Sequence, residues 1–239
     1  MADTPELLPL TVDAGRVLAV VAHPDDLEYG AAAAVALWTR AGASVAYLLA
    51  TRGEAGIDAL PPEESARVRE AEQRASAAVV GVDTVEFLDH PDGLLEHGVP
   101  LRRDLAAAIR RHRPDTLLLF NHRETWPGGG LNSADHRVVG AAALDAAADA
   151  GNRWLFPGAG GPPHRVRTAL VAGSPAATHA LDVTDTVDAA IASLAEHRAY
   201  LEGLGDHPMA DPEVVRVFLE TTGERYGGRP AVAFEVFAL

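Results

Sequence analysis

The folds open to this chain are limited first by a rhythm of short, uninterrupted apolar runs. "RVLAVVA", "SVAYLLAT", "TVEFLD", "TLLLFN" and "RTALVAG" recur between longer amphipathic segments rich in Ala and Arg. A strand with one face in water alternates apolar and polar residues, whereas a strand covered on both faces is apolar at consecutive positions. Runs of the second kind, spaced by helix-length segments, predict βαβ units and a sheet with helices on both sides. The expected fold class is α/β, a Rossmann-like three-layer αβα arrangement with a mostly parallel sheet. Helices are predicted near residues 28–41, 62–80, 99–112 and 134–150, with "ATRGEAG" a glycine-punctuated loop and "WPGGGLN" and "FPGAGGPPH" longer breaks.

The C-terminal third reads differently. An Asp-capped helix starts near "DVTDTVDAAIASLAEHRAYLEG", a second lies at "DPEVVRVFLETT", and a last apolar run is "AVAFEVF". No linker separates this part, so one domain over residues 1–239 is expected, with a core of about 14–175 and a C-terminal extension of about 176–239. At 239 residues and 48% apolar content, the chain can bury a sizeable core.

Charge and composition remove several function classes. With 34 acidic against 20 basic residues, a net charge of −14 and no basic cluster, nucleic acid is not an expected partner. No apolar run approaches the roughly 20 residues needed to cross a bilayer. "MADTPELLPL" lacks the basic start and apolar middle of a secretory signal, so a cytoplasmic protein without membrane contact is expected. A homo-oligomer is compatible with the pattern and not readable from it. The absence of cysteine rules out thiolate ligands and thiol nucleophiles, leaving His and carboxylates to hold any metal.

One strand ends in chemistry. "VLAVVAHPDDLEYG" runs from a buried strand into His23, Pro24, Asp25 and Asp26, at the carboxyl edge where open parallel sheets bind ligands. Pro24 marks a strand-to-helix switch, and across it His23 and Asp26 can converge on one point as metal ligands. Helix capping explains one Asp or two but leaves the histidine unaccounted for. Asp135 and His136 in "NSADHRVVG" open a second helix at the same sheet edge, after the strand "TLLLFN". Taken on its own, that stretch is better explained by capping from Ser or Asp beside a surface histidine. Together, His23, Asp26 and His136 make a zinc site with an open position for water, another divalent metal being compatible. Asp25, next to a ligand, is then the candidate base for amide hydrolysis.

"AHPDDLE" followed by "ADHRVVG" resembles the zinc-dependent N-acetylglucosaminyl deacetylases of the PIG-L/LmbE-like family. The likeness extends through "TRGEAG", "REAEQRASAAVVGV", "LDHPDG", "DVTDTVDAAIASLAEHRAY" and "AFEVF". It implies zinc on His23, Asp26 and His136, Asp25 as general base, and substrate contacts from Arg69 and Asp92. Read from the residues alone, Arg69 is equally a solvated helix residue and Asp92 a turn residue. The implied reaction removes the N-acetyl group from an amino sugar or glycoside. An amidase on a larger sugar-linked conjugate and a non-catalytic Rossmann-like binding module are the alternatives, although the chain lacks the Gly-x-Gly-x-x-Gly fingerprint.

One departure concerns proton chemistry. Where the family's motif opens with a histidine, this chain has Ser133, which cannot titrate near neutrality. His122, in "FNHRETWPGGG", is the proposed replacement and joins Asp25 and Asp135 among the catalytic candidates. His197 is read as structural or pocket-lining, and Trp126 as a cover for one substrate face.

Overall fold

The computed structural model describes residues 6–10 and 15–239; residues 1–5 and 11–14, which the single-domain reading included, lie outside the described residues. In chain order the strands are β1 (Leu8–Pro9), β2 (Arg16–Val21), β3 (Ser44–Leu49), β4 (Thr84–Phe87), β5 (Thr116–Phe120), β6 (Thr168–Ala172), β7 (His179–Asp182) and β8 (Ala231–Ala238). The helices are α1 (Asp26–Gly30), α2 (Ala32–Arg40), α3 (Pro62–Val79), α4 (Val99–His112), α5 (Ala134–Gly151), α6 (Val187–Leu194), α7 (Arg198–Gly203) and α8 (Val214–Gly223).

All eight strands form one sheet in the order β1-β7-β8-β6-β5-β2-β3-β4, parallel except for β8, which runs antiparallel to both its neighbours. The architecture is the mixed α/β fold with a mostly parallel sheet that the apolar runs predict. The apolar continuity of β2 has its explanation in the two layers. Val17, Ala19 and Val21 pack into one core cluster with α2 and α6, while Leu18, Val20 and Ala22 pack into the other with α4 and α5. Each valine and leucine among them, buried to 3% exposure or less, contributes roughly 1.5–3 kcal/mol through removal from water. The C-terminal part completes this sheet, because β8 inserts between β6 and β7. No helix among the described residues is long and apolar enough to cross a membrane.

Two predicted helices are each broken in two. The segment predicted as one helix over 28–41 splits at Ala31, whose φ of −149° is not helical. Gly30 ends the first piece, and a Cβ there would lie 2.4 Å from Phe120 Cε2, so close packing of the helix on β5 sets the break. The segment beginning near Asp182 splits between α6 and α7 at Ala195–His197, where His197 is fully buried. The short strands β1 and β7 were not predicted; they pair with each other, and β7 also pairs with β8.

The chain order places a ligand site. From β2 the chain proceeds outward to β3 and β4, then returns to the other side of β2 as β5. Adjacent β2 and β5 therefore send their following loops in opposite directions, which opens a crevice at their carboxyl ends.

Candidate metal centre

His23 follows β2 and His136 lies in the first turn of α5, after the loop that leaves β5. His23 Nδ1 is 3.2 Å from His136 Nε2 and 3.5 Å from Asp26 Oδ1, and His136 Nε2 is 2.9 Å from the same oxygen. Two ligands held tetrahedrally at about 2.05 Å from one ion stand about 3.3 Å apart. The three edges match that spacing, so these residues fit a zinc-sized ion.

Each ligand has its other polar atom occupied, which leaves the inward one for a metal. Asp26 Oδ2 accepts from the backbone N–H groups of Ala22 and His23, both at 2.9 Å. Asn132 Oδ1 lies 2.9 Å from His136 Nδ1 and accepts its N–H, so Nε2 presents a lone pair. His23 Nε2 faces Asp92 Oδ1 at 3.0 Å and Asp135 Oδ2 at 3.4 Å, so Nδ1 is the free nitrogen. Burial disfavours a charged His23, but Asp26, Asp135 and Asp92 outweigh it and hold the ring well above the ordinary imidazole pKa. Burial likewise opposes ionised Asp26, yet His136 and His23 draw its pKa far below the usual carboxylate range.

Asp135, placed among the catalytic candidates from sequence, is buried beneath His23. Its two oxygens accept from Gly93 N at 2.8 Å and Leu95 N at 3.2 Å as well as facing the ring. That geometry orients a ligand and does not reach the cavity. Ser133 caps the same helix, its Oγ accepting from Asp135 N at 3.2 Å.

Asp25 adopts φ 96°, ψ −22°, a left-handed conformation that costs a residue with a Cβ of order 1–3 kcal/mol. Two side chains of α3 hold it there. Gln73 Oε1 accepts from Asp25 N at 3.0 Å, and Arg69 Nη2 donates to Asp25 Oδ2 at 2.9 Å. Ser65, Arg69, Gln73 and Ser76 share one face of α3, polar yet buried against the site. Gln73 Nε2 and Ser76 Oγ donate in turn to Glu28 Oε1 at 2.9 and 2.6 Å. Burial pushes the Asp25 pKa up and Arg69 opposes that push, with a net rise.

The Arg69 guanidinium is committed to the protein. Besides Asp25 it donates to Gly53 O at 3.0 Å and Pro24 O at 2.5 Å, and it lies 4.3 Å from the centre of the Tyr200 ring. A Cβ on Gly53 or Gly56 would sit 2.3 or 2.1 Å from Arg69 Nη1, which explains both glycines of "TRGEAG". Arg69 borders the cavity at only 3% exposure, so its geometry is that of a brace for Asp25. Asp92 also borders it; Oδ2 accepts from Ala55 N at 2.9 Å, leaving acceptor capacity for a ligand hydroxyl.

The cavity of about 510 Å³ is bordered by His23, Asp25, Asp26, His136 and Ser133, with Tyr29, Phe120, Trp126, Tyr200 and Met209 giving it an apolar side. Trp126 and Phe120 pack edge-on to the His136 ring, with centroids 5.7 and 5.2 Å away. His122, the residue proposed to replace the family histidine, does not border this cavity. Its Cβ packs toward Gly140 and its ring lies 6.1 Å from that of Phe237, on the α5 and β8 side. A Cβ on Gly140 would stand 2.6 Å from His122 Cβ, so α5 is seated closely on this loop. His197 is fully buried outside the cavity, its Nε2 3.7 Å from Glu28 Oε2.

A cavity-bordering histidine that sequence reasoning missed is His207, in "GLGDHPMAD". Its Pro and Gly neighbours read as an ordinary turn, and no spacing ties it to the metal motifs.

The chain resembles characterised proteins. It is 27% identical over 193 residues to diacetylchitobiose deacetylase of Thermococcus kodakarensis, covering 78% of this chain and 70% of that one. It is 35% identical over 183 residues to 1D-myo-inositol 2-acetamido-2-deoxy-alpha-D-glucopyranoside deacetylase of Kineococcus radiotolerans, covering 61% of this chain but only 48% of that protein. N,N'-diacetylchitobiose deacetylase from Pyrococcus horikoshii, solved with an inhibitor, superposes with a TM-score of 0.83 at 23% identity over 95% of this chain and 85% of that one, a likeness of fold. Residues 18–147, more than half of the sequence, match the family described as PIG-L, GlcNAc-PI de-N-acetylase, and the chain belongs to that family.

Proposed function

We propose that the protein is a zinc-dependent N-deacetylase that hydrolyses the acetamide of an N-acetylglucosamine-type sugar or glycoside in the cytoplasm, releasing acetate and the free amino sugar. The observation that carries this reading is the approach of His23 Nδ1, Asp26 Oδ1 and His136 Nε2 to within 2.9–3.5 Å of one another, beside buried Asp25 on the wall of one cavity. Two imidazoles and a carboxylate suit zinc, and another divalent metal is compatible with the same donors. When bound, such an ion supplies Lewis acidity at the amide oxygen and makes water easier to deprotonate.

This chain's residues do the rest. Asp25 takes a proton from the attacking water and passes it to the amide nitrogen as the C–N bond breaks. Its raised pKa makes it a better base than an exposed aspartate, and Arg69 keeps it ionised and aimed. Asp92 accepts from a sugar hydroxyl while fixing His23, and Trp126 covers an apolar sugar face. The acetamido-sugar substrates named for the two sequence relatives support the choice of amide. The test is a panel of N-acetylated amino sugars and glycosides assayed for released amine, with added zinc and with chelator. Amine release that needs zinc supports the reading, and a fully metal-loaded protein that releases none from any member overturns it.

A further inference from the structure

Ser133 stands where the resemblance expects a histidine, and His122 does not border the cavity. A histidine donor to the amide oxygen, beside the Lewis acidity a bound ion would supply, therefore has to be a different one. Among the described residues, three histidines border the cavity: His23, His136 and His207. The first two have both ring nitrogens engaged in the metal centre and its supports. His207 has one to spare.

The His207 ring is set by its own loop. Nδ1 accepts from Met209 N at 3.2 Å, at the start of a 3-10 turn over Pro208–Ala210. His207 N donates to Leu204 O at 3.2 Å and its carbonyl accepts from Ala210 N at 2.9 Å. Tyr29 Oη donates to Met209 O at 2.7 Å, tying this loop to α1 beside the cavity that both residues border. An imidazole whose Nδ1 accepts a hydrogen bond carries its proton on Nε2, and Nε2 has no partner among the described residues. Such a ring donates a hydrogen bond well but cannot surrender its only proton without becoming an imidazolate. A neutral imidazole of this kind is suited to an oxygen that gains negative charge during reaction.

We propose that His207 is a catalytic hydrogen-bond donor of this cavity, acting as neutral imidazole through Nε2 on the substrate's amide oxygen as that oxygen gains charge; the proposal rests on the deacetylase reading above. In the reaction, the water oxygen bonds to the carbonyl carbon and the C–N bond breaks. The water's proton travels by Asp25 to the departing nitrogen, and His207 keeps its proton throughout. This assignment separates proton transfer, at Asp25, from charge stabilisation, at His207.

The experiment compares His207→Leu and His207→Gln with wild type in the full-length, zinc-loaded protein, on N-acetylglucosamine and N,N'-diacetylchitobiose, reading kcat, KM and bound metal. His207 is exposed, so neither change burdens the core. His207→Leu is expected to lose about 10²-fold or more in kcat with KM within about threefold and metal content unchanged. His207→Gln, which keeps a neutral N–H donor, is expected to stay within about tenfold of wild type. Wild-type kcat in the Leu variant, a loss confined to KM, or a Gln variant as slow as the Leu variant overturns the proposal. Zinc-loaded wild type that releases no amine from these sugars or from any other member of the panel above overturns the deacetylase reading, and this proposal with it.

Discussion

Replacing Arg69 separates two roles that its position allows. The resemblance implies a substrate contact, whereas the structure spends its guanidinium on Asp25, Pro24 and Gly53. Arg69 Nη2 and Asp25 Oδ2 are 2.9 Å apart, with side-chain exposures of 3% and 8%, so solvent screens the pair little. With charge centres roughly 4 Å apart and an effective dielectric constant of about 20, the attraction is about 4 kcal/mol. At about 1.36 kcal/mol per pK unit, that bounds the rise in the Asp25 pKa on removing the cation at about three units. Activity requires the carboxylate and is lost as pH falls through its pKa, so the acid limb of kcat/KM in Arg69→Met should move upward by about 1–3 units. Leaving Asp25 buried without its partner should also cost about 3–5 kcal/mol near neutrality, a fall in Tm of about 6–20 °C for a chain of this size. Arg69→Lys keeps the charge but cannot serve all three acceptors, so its limb should stay within about half a unit of wild type while Tm still falls. The assay is a pH series of kcat/KM at saturating zinc with parallel melting curves. An unmoved limb in Arg69→Met, together with a tenfold or greater rise in KM, would refute the bracing role in favour of substrate binding.

Other expectations concern the ligands and their surroundings. His122→Ala should leave kcat within about threefold of wild type, because a side chain outside the cavity touches neither substrate nor ligands; a loss of about 10²-fold would restore it to the reaction. Asn132→Leu removes the acceptor at His136 Nδ1 and should weaken zinc affinity by about 10–100-fold in a competition titration with a chromogenic chelator. The pKa of His23 without metal is raised, so the ring is protonated at neutral pH and must shed that proton to bind an ion. Zinc titrated calorimetrically at pH 7 into metal-free protein, in buffers of different ionisation enthalpy, should therefore release about one proton per ion, and none if His23 is already neutral.

The layers of the fold could be read from the sequence because burial on both faces leaves a local trace, the consecutive apolar residues of β2, β3, β5 and β6. The edge elements left none. Strand β1 has two residues, and β7 follows a turn-rich stretch with no distinctive run, so their pairing is a tertiary effect. Nothing local in "SLAEHRAYL" stops a helix; the break comes from seating His197 opposite Glu28, far away in sequence. The candidate ligands His23, Asp26 and His136 stand out in the sequence because the Pro24 switch and the α5 start each leave a compact signature. Side-chain direction leaves no such signature, which is why His122 is a candidate at a sheet edge from sequence and His207 goes unmarked there. The buried polar face of α3 is a subtler case. Ser65, Arg69, Gln73 and Ser76 lie at helical spacing, but a polar stripe ordinarily means a solvated face.

The account depends most directly on metal held by His23, Asp26 and His136 being required for amide hydrolysis. The decisive measurement titrates zinc into chelator-stripped protein while following bound metal and amine release together, for wild type and for Asp26→Asn. Wild type should bind about one ion per chain with activity rising in step, while Asp26→Asn binds far more weakly and stays inactive at one equivalent. Full amine release by the stripped protein, or by Asp26→Asn without bound metal, would contradict the account.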